Sequence, residues 1–106
     1  MLKFSILDFS FGTIKHNQMN TYKISITSTY TLPVHITAPT TSCGCTTAYV
    51  ENNPVAANSS TSLVVQFNSG KVALGQQSKK VTISWVDPIN NKSFSQTFNF
   101  TANVIR

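Results

Sequence analysis

Apolar side chains return at every second position in seven stretches of this chain, with Gly, Pro, Asn and Ser gathered between them. Leu2, Phe4 and Ile6 alternate, and Leu7, Phe9 and Phe11 continue in the opposite phase, a one-residue slip that a β-bulge near Ile6-Leu7 would supply. Tyr22, Ile24 and Ile26 mark a second strand. Val34, Ile36 and Ala38 mark a third after the break at Pro33, and Ala48-Tyr49-Val50 a short fourth. Leu63, Val65 and Phe67 give a fifth, Val81, Ile83 and Trp85 a sixth, and Phe94, Phe98, Phe100, Ala102 and Val104 the longest, with Gln96 interrupting its face. A period of two buries one side of each segment and exposes the other. Asp87-Pro88-Ile89-Asn90-Asn91 reads as a hairpin connection, Asn68 to Lys71 and Gly75-Gln76-Gln77 as turns, and Glu51 to Ser60 as a long loop. The spacing predicts one all-β domain over residues 1–106, a seven-stranded antiparallel β-sandwich. Ile24, Ile26, Val34, Ile36, Val65, Phe67, Val81, Ile83, Trp85, Phe98 and Phe100 are its expected core.

Composition narrows the partners. Charged residues make up 10% of the chain, and Ser, Thr and Asn carry the polarity instead. Eight Lys and Arg against Asp8, Glu51 and Asp87 leave a net charge of +5. The basic residues are scattered, only Lys79 and Lys80 are adjacent, and Arg106 is the single arginine. Specific nucleic-acid recognition uses arginine and basic clusters, so weak attraction to an acidic protein surface is the expectation. No apolar run reaches the length of a membrane-spanning helix. Taking Met1 as the natural start, Met1 to Asp8 has neither an apolar core segment nor a cleavage site for export.

Thr41-Ser42-Cys43-Gly44-Cys45-Thr46-Thr47 holds both cysteines. A disulfide across a single residue closes a very small ring, hard to build and easily reduced. As metal ligands, Cys43 and Cys45 with His35 would suit a soft ion, although zinc asks for four ligands. The third reading, and the one expected here, is packing: Cys as a small buried apolar residue beside a Gly44 of unusual backbone angles where the chain crosses between sheets. No metal and no cofactor are expected. The three carboxylates are isolated in sequence, no Gly-x-Ser-x-Gly elbow occurs, and no glycine-rich phosphate loop is present. The expectation is a protein that is not an enzyme.

Several motifs stand in series: Phe9-Ser10-Phe11-Gly12-Thr13-Ile14, then Tyr22 to Thr27, Leu32-Pro33-Val34-His35-Ile36, Thr41-Ser42-Cys43-Gly44-Cys45-Thr46, and Pro54 to Ser60 before Gln66-Phe67-Asn68-Ser69. The series resembles a bacterial family of immunoglobulin-like domains of unknown function with a Ser-Cys-Gly-Cys-Thr signature, related to the Hydin-type and sperm-protein-like sandwiches. The resemblance covers nearly the whole chain. It departs at Ala57-Asn58, where the family often has Pro-Gly; Asn tolerates positive φ and keeps the turn. The resemblance implies an immunoglobulin-like fold and a binding or structural role. Bacteriophage heads are decorated with such domains. A lone domain without an export signal is therefore expected to be an auxiliary capsid protein of a phage virion, its partner copies of a major structural protein. The alternatives are a periplasmic or secreted adaptor domain whose signal was removed, and a small metal or redox protein built on the cysteines. No small-molecule substrate is expected.

Two loops are the expected partner surfaces. Val72 and Leu74 lie between Ser69 and Ser78, flanked by Lys71, Lys79 and Lys80, and either tuck over the sandwich end or dock on an acidic neighbour. Pro54 and Val55 on the loop from Glu51 to Ser60 are the second candidate, and the Phe9 edge a third.

Overall fold

Eight strands form two four-stranded sheets in the computed structural model, which describes residues 1–106. In chain order they are β1 (Leu2–Phe4), β2 (Asp8–Lys15), β3 (Met19–Ser28), β4 (Thr40–Thr41), β5 (Thr46–Val50), β6 (Ser60–Asn68), β7 (Gly75–Val86) and β8 (Ser93–Ile105), with one 3-10 turn at Ser69–Lys71. One sheet has the order β1-β3-β6-β5 and the other β2-β8-β7-β4. This is the expected immunoglobulin-like sandwich, with one strand more than the alternation counted.

The first stretch supplies two strands instead of one, and the two-residue β4 at Thr40–Thr41 takes the place of the strand expected at Val34–Ala38. The reversal of apolar phase between Ile6 and Leu7 is a change of sheet, not a bulge. Leu2 and Phe4 face the core from one sheet, and Phe9 and Phe11 face it from the other, so the inward parity must flip. The chain crosses at Ser5 to Leu7 without reversing direction. It pairs antiparallel with β3 before the crossing and parallel with β8 after it, which corrects the all-antiparallel expectation. A bulge does occur, between Ser10 and Thr13, where Gly12 holds φ +71°.

The predicted strand at Val34–Ala38 makes only isolated bridges, Val34 with Val55 and Ile36 with Trp85. Pro33 and Pro39 withhold donors on either side. The carboxamide of Asn53 completes the rung: its Oδ1 accepts the Ile36 N–H at 2.9 Å and its Nδ2 donates to the Ile36 carbonyl at 2.6 Å. Gly75-Gln76-Gln77 is likewise no turn but the opening of β7, leaving Val72 to Leu74 as the connection. The turn after Ala57 does use Asn58 at φ 54°.

All of the expected core residues are buried. Phe9 stacks on Tyr22 at 4.2 Å and on Phe100 at 5.2 Å between ring centroids, closing the sandwich on the β2 side. Ser69 is fully buried; its Oγ donates to the Lys15 carbonyl at 2.6 Å and accepts the Gln18 N–H at 2.9 Å, fastening the β2–β3 turn to the end of β6. Phe94 alone among the apolar residues of the β8 face stays 43% exposed, and it leads to the site.

Candidate functional site

At the corner where the first strand leaves one sheet for the other, the core is open. A cleft of about 640 Å³ lies between β1 and the start of β8, lined by Leu2, Phe4, Leu7, Tyr30, Trp85 and Phe94 with Met1, Lys3, Asp87, Ser95 and Gln96. Met1, Leu7 and Phe94 are exposed large apolar side chains. The cross-strand pair Trp85–Phe94 stacks at 5.9 Å with an interplanar angle of 21°, and Phe4 meets Trp85 edge-on at 5.9 Å. The Trp85 indole N–H donates to the Tyr30 hydroxyl at 3.2 Å, which fixes the floor. Asp87 closes one end: it accepts the Ile89 N–H at 2.8 Å and the Asn90 N–H at 3.1 Å, and these two bonds hold its carboxyl below the ordinary value of 3.8.

The backbone beside the cleft is unpaired. β8 is bonded to β7 along its whole length, but β2 joins its other edge only from Asn99 onward. Ser93 to Phe98 therefore present a free edge, and β1 presents another across the cleft. The Asn99 N–H bonds the Leu7 carbonyl on the β2 side. Alternation along a strand then turns the N–H and C=O groups of Ser93, Ser95 and Thr97 to that same open side. The Thr97 carbonyl is met by the Gln96 side-chain amide at 2.9 Å. Side chains of Phe94 and Gln96 point into the cleft meanwhile. Apolar depth beside unpaired edge groups is what an extended peptide needs: main-chain bonds for affinity and a pocket for alternate side chains.

The residues singled out in the sequence lie elsewhere. Cys43 and Cys45 are joined by a disulfide, the pairing that the sequence reading set aside, while the packing part of that reading holds: Cys45 is buried in the core and Cys43 packs against it. The backbone brings their Cα atoms to 5.1 Å, within the range a disulfide spans. Gly44 between them is exposed and does not take positive φ, so it is no strained crossing point. His35 is not drawn to the cysteines, and no three His, Cys, Asp or Glu side chains come together as metal ligands. Val72 tucks against the core and Leu74 stays exposed. Val55 is 1% exposed and bridges Val34, so it is core and not a contact residue; Pro54 beside it is exposed. Lys79 and Lys80 are neighbours on β7 and point to opposite faces, and Lys71 sits on the 3-10 turn, so the three form no single patch.

The chain matches the family described as "Protein of unknown function (DUF1573)" over residues 2–104. No curated protein matches it. Among solved structures, a protein of unknown function from Porphyromonas gingivalis W83 superposes with a TM-score of 0.75 at 16% identity, over 96% of this chain and 46% of that one. The chain thus spans less than half of that protein. The ASH/PapD-like domain 7 of human CEP192 superposes with a TM-score of 0.75 at 8% identity, over 99% of this chain and 85% of that one. The YadV chaperone gives a TM-score of 0.68 at 11% identity, over 99% and 52%. At these identities the likeness is one of fold.

Proposed function

The chain belongs to the DUF1573 family of proteins of unknown function, and on that premise we propose that it is a non-enzymatic protein-binding module that takes an extended apolar segment of its partner along β8. The observation that carries this reading is the unpaired edge from Ser93 to Phe98 beside the Trp85–Phe94 cleft. A segment laid there continues the row that β2 begins at Asp8, and its alternate side chains drop beside Phe94 and Leu7. A chaperone and a PapD-like domain among the neighbours agree with a protein-binding role.

Decoration of a phage head is the narrower form of this reading. No residue of the cleft points to a capsid protein, so it rests on the sequence resemblance alone. A periplasmic or secreted setting draws support from one observation, the Cys43–Cys45 bond, since disulfides persist outside the reducing cytosol.

The test is selection of random peptides on the wild-type domain, followed by binding to Ser95→Pro. Proline removes only an outward N–H, so the β7 ladder survives. Selected peptides should alternate apolar and polar residues and bind Ser95→Pro about tenfold more weakly or worse. Peptides that bind wild type and Ser95→Pro equally would overturn the proposal.

A further inference from the structure

The Cys43–Cys45 bond lies at the edge of the sandwich opposite the cleft, where the chain passes from β4 to β5. It joins residues only two apart in sequence, so it withholds little freedom from the unfolded chain and is a weak staple. Its surroundings suit a different task. The two sulfurs are unequal: Cys45 is 3% exposed, whereas Cys43 is only partly buried and lies between exposed Ser42 and Gly44. A Cβ built on Gly44 would meet no atom within 4 Å, so the residue between the two cysteines faces open space, while Cys43 packs in part against the core. Each sulfur also has a donor in place. The Cys45 N–H donates to Cys43 Sγ at 3.0 Å, and the Thr46 hydroxyl lies 3.4 Å from Cys45 Sγ. These are the groups that would hold a thiolate on either sulfur.

We propose that Cys43–Cys45 is an exchange-active disulfide that passes its oxidation to a pair of thiols on another protein. A partner thiolate attacks the Sγ of Cys43, the less buried of the two cysteines. Its electron pair forms the new S–S bond, and the pair of the old bond leaves on Cys45 Sγ, where the Thr46 hydroxyl donates to the thiolate. The partner's second thiolate then attacks the partner sulfur of this mixed disulfide. The pair leaves on Cys43 Sγ, held by the Cys45 N–H. The partner is oxidised to a disulfide, Cys43 and Cys45 are reduced, and the two protons lost by the partner's thiols end on the two cysteines. Exchange through the less buried sulfur with a stabilised leaving thiolate is the general course of such reactions.

The test uses dithiothreitol as the dithiol probe and glutathione as the single-thiol probe, with mass spectrometry as the readout. The folded wild-type domain should be reduced by dithiothreitol and reoxidised by oxidised glutathione. Thr46→Val should slow the reduction by roughly threefold to tenfold, the value of one lost hydrogen bond. Given oxidised glutathione, Cys45→Ser should collect a glutathione adduct on Cys43 with release of one reduced glutathione, and Cys43→Ser should react at least about tenfold more slowly through its buried thiol. A bond that resists dithiothreitol in the folded domain yet yields in the unfolded chain would overturn the proposal, as would equal adduct formation on Cys43 and Cys45.

Discussion

The indole N–H of Trp85 donates to the hydroxyl of Tyr30 at 3.2 Å, a link across 55 residues of chain. Tyr30 ends the passage out of β3, and Trp85 stands near the end of β7, so this bond ties the two sheets at the floor of the cleft. Tyr30→Phe should cost about 1 kcal/mol, the usual loss for one buried hydrogen bond, and should shift the Trp85 fluorescence. Denaturant unfolding followed by that fluorescence measures both. Unchanged stability together with unchanged emission would show that the bond contributes nothing.

Phe98 and Phe94 lie on one face of β8 and have opposite tasks. Phe98 is fully buried, and Phe98→Ala should cost about 3–5 kcal/mol. Phe94 is 43% exposed and stacks only on Trp85, so Phe94→Ala should cost about 1 kcal/mol while weakening peptide binding. Parallel unfolding curves and binding titrations on the two variants check the split.

Much of this was legible in the sequence. The two-residue alternation located the core because inward parity is a local property of a strand. Gln96 breaking the β8 face was the trace of the cleft, since a polar residue there means that the face is not fully covered. The parallel pairing of β2 was not legible, because it depends on where the crossing at Ser5 to Leu7 lands in the other sheet. Val55 read as loop because its partner, Val34, is 21 residues away and joined by a single bridge. The disulfide was misjudged for a similar reason: the approach of Cys43 to Cys45 is set by the backbone between β4 and β5, not by their spacing.

Asp87 organises the β7–β8 turn in its charged form. Hydrogen bonds from the Ile89 and Asn90 backbone favour the carboxylate and lower its folded value below the ordinary 3.8. The sign follows: the contribution is complete above the unfolded value and is lost as pH falls below it through the lower folded value. Asp87→Asn should therefore flatten the acid limb of the stability profile below about pH 4. Wild type and variant losing stability in parallel over that range would refute the assignment.

Gly44 and Gly12 separate open space from backbone need. Gly44 has no positive φ and open space over its Cα, so Gly44→Val should leave stability within about 0.5 kcal/mol. Gly12 also has open space but holds φ +71° at the β2 bulge, so Gly12→Val should cost about 1–2 kcal/mol or more. Thermal unfolding of the two variants should give that order, and the reverse order would contradict it.

The central claim is that the free edge of β8 receives a strand. Amide hydrogen exchange at Ser95 and Thr97, measured residue by residue with and without a selected peptide, tests it most directly. Both N–H groups should exchange fast in the free domain, because β2 does not reach them. On binding, both should slow about tenfold or more, while the β7-bonded amide of Phe98 changes little. Binding that leaves Ser95 and Thr97 as fast as before would contradict strand addition at β8.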